Sequence, residues 1–205
     1  MAAACRMPHH GNGSMEKTKM QAELADLMNE LREDHRNMAI VLDIVDGVID
    51  SIRAEDDSVL ELLAEIMHFM TVFPDAVHHP KEDLVYEQLQ ELRPDLANGL
   101  EDVPGDHADI ADLGLRLKAD IDAIESGSTV KREQLISDAA SYVERLRNHM
   151  AWEESDLFER VDRMLGSKKH PVDLSRFHEL HDPVFGESSA AGFQRLMESL
   201  KANAA

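Results

Sequence analysis

Asp34-His35 followed by His78 and Glu82 in "HHPKED", then Asp106-His107 followed by His149 and Glu153 in "HMAWEE": the same residue types occur twice along this chain. Imidazole nitrogens and carboxylate oxygens, with no thiolate among them, are donors suited to divalent iron, manganese or zinc. His35 precedes His78 by 43 positions and His107 precedes His149 by 42, so the halves agree in type and, within one residue, in spacing. Side chains at i and i+4 of a helix share a face, so His78 with Glu82, and His149 with Glu153, can each chelate across one turn. The pattern predicts two helical hairpins holding one metal site.

Those hairpins must bring the six groups to one height. The polar turn "AEDDS" (Ala54 to Ser58) lies about midway between His35 and His78, and "SGST" (Ser126 to Thr129) about midway between His107 and His149. At ~1.5 Å rise per residue, antiparallel hairpins folded there place the site roughly 30 Å from each turn. Apolar residues supply the seam. Leu24, Met28, Leu31, His35, Met38, Leu42, Val45, Ile49 and Ile52 alternate in steps of four and three, as in a long helix with one buried stripe. Leu60, Leu63, Met67 and Met70 begin a second stripe, continued by His78, Glu82, Val85 and Leu89. Pro74 and Pro80 interrupt it and predict a kink or local unwinding near the ligands, since proline lacks an N–H and crowds the preceding turn.

The third stripe runs from His107 through Ile110, Leu117, Ile121 and Ile124. The fourth is Leu135, Ala139, Tyr142, Leu146, His149 and Glu153, extended by Leu157, Val161 and Met164 and ended by Gly166. "RPDLANGLEDVPGD" reads as a loop of about a dozen residues, placed to cover the site. The expected architecture is all-α, an antiparallel up-down four-helix bundle over residues 16–166. Residues 1–15 read as a disordered segment. Residues 167–205 read as a tail packed on the bundle, with a short helix around Phe193, Leu196, Met197 and Leu200.

Composition narrows the function. The 205 residues are 43% hydrophobic, enough for one substantial core but hardly for two ordinary domains. With 41 acidic against 21 basic residues, the net charge of −20 opposes partners such as nucleic acid or an anionic membrane and favours small cations. No apolar run approaches the roughly 20 residues that span a bilayer. Cys5 is the single cysteine, so a reducing, cytoplasmic setting is expected. The eleven methionines are more simply core filler than a metal device.

Four imidazoles and two carboxylates at core positions are costly to bury unless a cation satisfies them. A hydrogen-bonded polar layer explains one His–Glu pair but not the duplicated spacing. Two ions, each held by two imidazoles and bridged by both carboxylates, is the natural arrangement. It leaves an open position for a small molecule. Asp34, Asp83, Asp106 and Glu154 are placed to orient imidazoles, with solvated positions an equal alternative. His79, next to His78, is expected to face elsewhere, and Lys81 to lie along the surface. His9 and His10 have no role, and His178 with His181 no more than adventitious metal binding. Ferritin-like centres need two ExxH motifs. Only Glu65 and His68 fit that spacing, and His68 stands ~15 Å along the axis and about 80° around it from His78.

The order His, HxxxE, His, HxxxE, with "HHPKED" and a late "HDPVFG", resembles the hemerythrin-like HHE cation-binding family over roughly residues 20–187. The resemblance implies a four-helix bundle around a non-haem diiron centre, with two iron ions as cofactor, oxo- and carboxylate-bridged. It implies His35, His78, Glu82, His107, His149 and Glu153 as ligands. Oxygen-carrying hemerythrins have HxxxH in the third helix, whereas Val103 and Ala111 stand four residues from His107, and the fourth helix carries Glu153 instead of their HxxxxD. The four-His, two-Glu set is similar to that of diiron proteins that repair iron–sulfur centres. The expected partner is a diatomic ligand or peroxide, taken up for sensing, scavenging or repair. The alternatives are a non-catalytic iron-binding or iron-sensing module and a metal-free helical interaction protein.

Overall fold

The computed structural model describes residues 12–166 and the isolated Arg195, with side chains placed from Leu24 to Met164. The expectations for residues 1–11 and for the C-terminal tail, including His178 and His181, lie outside the described residues. Helix α1 spans Asn12–Arg53, starting inside the segment that reads from sequence as lying outside the fold. Its partner is built from α2 (Leu60–Met70), a π-helical turn (Pro74–His78) and α3 (His79–Leu92). After the four-residue helix α4 (Pro94–Ala97) come α5 (Val103–Glu125), α6 (Arg132–Trp152), a second π-helical turn (Glu153–Leu157) and α7 (Phe158–Gly166). No strand occurs among the described residues.

Each element follows from its apolar stripe. Every member of the first stripe, Leu24 through Ile52, is buried, as are Leu135 through Met164 of the fourth. Helix α6 packs on α1 and α5, and α5 packs on α2, which returns against α1, so four rods close a ring with sequence neighbours adjacent. Polar turns make the reversals. Asp56 caps the short turn at Asp57–Val59 by accepting from the Ser58 N–H at 3.0 Å. Gly127 adopts φ +83°, left-handed backbone open to glycine at no steric cost. Arg132 ties the two turns together, donating to the Ile52 carbonyl at 2.8 Å and to Asp57 at 2.6 Å.

The long connection is shorter and more ordered than its Pro, Gly and Asp content predicts. Pro94 and Pro104 occupy first-turn positions of α4 and α5, where their missing N–H is not needed. Ala97 and Leu100 are buried, and Arg160 donates to the carbonyls of Leu96 and Asn98 at 2.9 and 2.7 Å. The segment therefore closes one end of the bundle.

Helices approach closely at Gly114, where an added Cβ would stand 3.1 Å from the Tyr142 ring and 3.2 Å from the Thr71 methyl. Gly114→Leu is expected to cost about 1–3 kcal/mol by overpacking. Urea denaturation checks this, and an unchanged midpoint would contradict the close approach.

The core falls into two apolar clusters. One contains Met38 to Ile52 of α1 with Leu63 to Phe73, Ile110 to Ile121 and Leu135 to Met150. The other contains Leu24 to Leu31 with Val85 to Leu89, Ala97 to Val103 and Leu157 to Met164. On all four rods the break between clusters falls at the same level. His35, His78, Glu82, His107, His149 and Glu153 occupy it.

Candidate metal centre

All six residues singled out from sequence are buried in this one layer, together with His79. Both π-helical turns lie at the layer. One ends on His78, with the His79 N–H bonded back to the Pro74 carbonyl; the other starts at Glu153, with the Phe158 N–H bonded back to the Glu153 carbonyl. A π-turn inserts one extra residue and rotates the succeeding helix about its axis, a distortion frequent at functional sites. The first coincides with the predicted interruption at Pro74. The second contains no proline.

The two carboxylates divide their oxygens between two pairs of imidazoles. Glu82 Oε1 lies 3.1 Å from His78 Nε2 and 3.3 Å from His35 Nε2, while its Oε2 lies 3.5 Å from His107 Nε2. Glu153 does the converse: Oε1 lies 3.1 Å from His149 Nε2 and 3.5 Å from His107 Nε2, and Oε2 lies 3.4 Å from His35 Nε2. One half of the site is thus His35, His78 and an oxygen from each glutamate. The other is His107, His149 and the remaining oxygens. Within each half the rings are tilted, by 55° for His35 against His78 and by 84° for His107 against His149, both at 4.9 Å.

The opposite nitrogens face carboxylates in a closed circuit. His78 Nδ1 is 3.3 Å from Asp34 on α1, His107 Nδ1 is 3.3 Å from Asp83 on α3, and His149 Nδ1 is 3.8 Å from Asp106 on α5. His35 Nδ1 closes the circuit at 3.2 Å from Glu154. Each imidazole is backed by the preceding rod, through an acid next in sequence to another member of the cluster. The hydrogen bonds of His35 to Glu154 and of His78 to Asp34 favour the tautomer that points Nε2 inward with its lone pair free, whereas Asp83 and Asp106 face the Nδ1 atoms of His107 and His149 without a formed hydrogen bond. These are the four acids that sequence spacing marks; each faces an imidazole, and Asp83 and Glu154 are at the same time solvent-exposed, 43% and 51%. Arg145 in turn donates to Asp106.

The donor set fits a cation. Both oxygens of Glu82 and of Glu153, Nε2 of His35 and both ring nitrogens of His107 and His149 are buried without a hydrogen-bond partner. So many orphaned polar atoms in one apolar core are expensive unless something positive satisfies them. In the metal-free protein, protons take that part. Burial opposes charging His35, but the carboxylates of Glu153 and Glu82 outweigh it and raise its pKa to about 10. For His107 the same opposition is overcome by Asp83 and Glu153, again to about 10. Burial and the neighbouring Glu153 push the Glu82 carboxyl up, yet His78 and His35 prevail and hold it low, at about 2.

Residues 26–201 match the family described as the hemerythrin HHE cation binding domain. The chain belongs to that family. No curated protein and no solved structure matches it. Hemerythrin-family membership together with the buried His/Glu groups makes this a candidate cation-binding centre on an all-helical bundle. No helix among the described residues is long and apolar enough to cross a membrane.

The remaining candidates divide. Glu65 and His68 are both exposed, away from the buried layer, as their offset from His78 requires. His79, in contrast, does not face elsewhere: it is buried and stacks on His107, ring centroids 4.1 Å apart. The reason is helical spacing. Glu82 is four residues after His78 and three after His79, so it lies between them around the axis, and both histidines flank the inward direction. The i, i+3 relation to Glu82 is the sequence signal for this. Lys81, expected along the surface, has its side chain mostly covered and reaches the exposed Glu30 at 3.1 Å.

Proposed function

We propose that this hemerythrin-family protein holds two non-haem iron ions and takes up oxygen, nitric oxide or hydrogen peroxide there, for sensing, scavenging or iron–sulfur-centre repair. His35 and His78 hold one ion, His107 and His149 the other, and Glu82 and Glu153 bridge them. The observation that carries this reading is the division of each carboxylate, one oxygen toward each pair of imidazoles. Iron bound there supplies redox chemistry and an open coordination position. The chain's own residues hold the imidazole tautomers, exclude bulk water and keep the four rods at one level. The resemblance to repair proteins supports the last of the three roles, and the departures from the oxygen carriers weigh against reversible oxygen storage.

Anaerobic reduction followed by rapid mixing with oxygen, nitric oxide or hydrogen peroxide tests the reading. A transient absorption band with one of them, on protein holding two irons per chain, is expected. Two irons with no band for any of them would leave a non-catalytic iron-binding module, and no iron at all would leave a helical interaction protein.

Metal uptake must also expel protons, because a ligating imidazole is neutral. His35 and His107 are protonated up to about 10 in the metal-free protein, so affinity for iron(II) should rise with pH below that value and level off above it. Proton release in weakly buffered solution measures it, and uptake without release would contradict the assignment. For the metal-free fold the sign is opposite. The raised histidines stabilise it fully below their ordinary 6.5, a contribution lost as pH rises through about 10.

A further inference from the structure

His79 is the one imidazole of the layer that the two-ion assignment does not use. Its ring lies parallel to that of His107, with an interplanar angle of 8°. A cation bound by an imidazole lies in the plane of the ring, so two rings stacked face to face cannot both direct Nε2 at one ion. The pairs assigned to common ions are tilted, by 55° and 84°. The carboxylate behind His79 also differs. It is Asp75 on the same rod, 3.2 Å from Nδ1, whereas the four assigned ligands are each backed from a neighbouring rod.

The other end of the ring nevertheless points into the centre. His79 Nε2 is buried with no hydrogen-bond partner, and His79 offers a donor atom within reach of those of Glu82, His107 and His149. Because a carboxylate only accepts, Asp75 holds the proton on Nδ1 and leaves a lone pair on Nε2. The two halves are walled differently as a result. The face of His35 is covered by the Phe158 ring, at 5.1 Å and 20°, and the residue after His149 is Met150 where the residue after His78 is His79. The half around His107 has the polar ring of His79 as one wall. It is also the less sealed: His107 and His79 are 6% and 5% exposed, against 3% or less for the other members of the layer.

We propose that His79 is a positioning residue for the molecule entering the His107–His149 half: its Nε2 accepts a hydrogen bond from an O–H of that molecule. The half then prefers protic ligands, such as water and hydrogen peroxide, to aprotic anions such as azide. This rests on the dinuclear reading above and adds a preference to it.

The test compares the iron-loaded full-length wild type with His79→Phe and Asp75→Asn. Iron content is measured first, then affinities for hydrogen peroxide and azide by absorbance titration of the diferric protein. All three proteins should keep two irons. In His79→Phe the ratio of peroxide to azide affinity should fall roughly tenfold, the worth of one hydrogen bond. In Asp75→Asn the new amide can donate to Nδ1, moving the ring proton to Nε2, and the ratio should fall in the same direction. Asp75 is partly exposed, so that variant reports even if the first folds poorly. Loss of an iron in His79→Phe would make His79 a ligand and overturn the proposal, as would an unchanged ratio in Asp75→Asn. Wild type without iron would overturn the dinuclear reading and this proposal together, whereas an iron-loaded wild type with an unchanged ratio in the variants sinks this proposal alone.

Discussion

Replacing both bridging candidates, Glu82→Ala with Glu153→Ala, should reduce metal content from two ions per chain to near zero. Each carboxylate offers one oxygen to each half of the site, so losing both strips two ligands from each ion and the negative charge that draws the ions into a low-dielectric core. What remains is four imidazoles. A paired imidazole set still attracts soft divalent ions weakly, but nothing is left to hold two cations side by side against their mutual repulsion. The control is Glu65→Ala with His68→Ala, two exposed residues at the spacing of a different kind of diiron site. It should retain both ions. Metal analysis after anaerobic loading and desalting decides between them, and equal losses in the two double variants would refute the assignment.

Removing the metal should lower the melting temperature by roughly 10 °C. Binding to the folded state alone stabilises by about 4 kcal/mol at a thousandfold excess over the dissociation constant. For a domain of this size each kcal/mol shifts the midpoint by roughly 2–4 °C. The orphaned atoms of Glu82, Glu153, His107 and His149 locate the cause, since they lie unsatisfied between two apolar clusters. Calorimetry of loaded protein against protein dialysed with a chelator measures the shift. A midpoint indifferent to the chelator would mean that protons alone satisfy the layer.

The stripe from Leu24 to Ile52 repeats at the helical period, and a helix buries what its period aligns, so α1 is legible without coordinates. Nearly equal distances from His35 and His78 to the turn at Asp56, and from His107 and His149 to Gly127, likewise place four groups at about one level once the hairpins close. The connection after Leu92 misleads because Pro and Gly mark helix starts as well as loops, and only the burial of Ala97 and Leu100 shows which applies here.

Sequence by itself determined the helices, the hairpins, the six-residue layer and the acids adjacent to it, because all of these follow from spacing along one rod. Which carboxylate backs which imidazole, how each glutamate shares its oxygens, the π-turn at Glu153 and the inward turn of His79 were decided only in the folded bundle. Those features depend on the rotation of one rod against the next, and packing across the core sets that rotation.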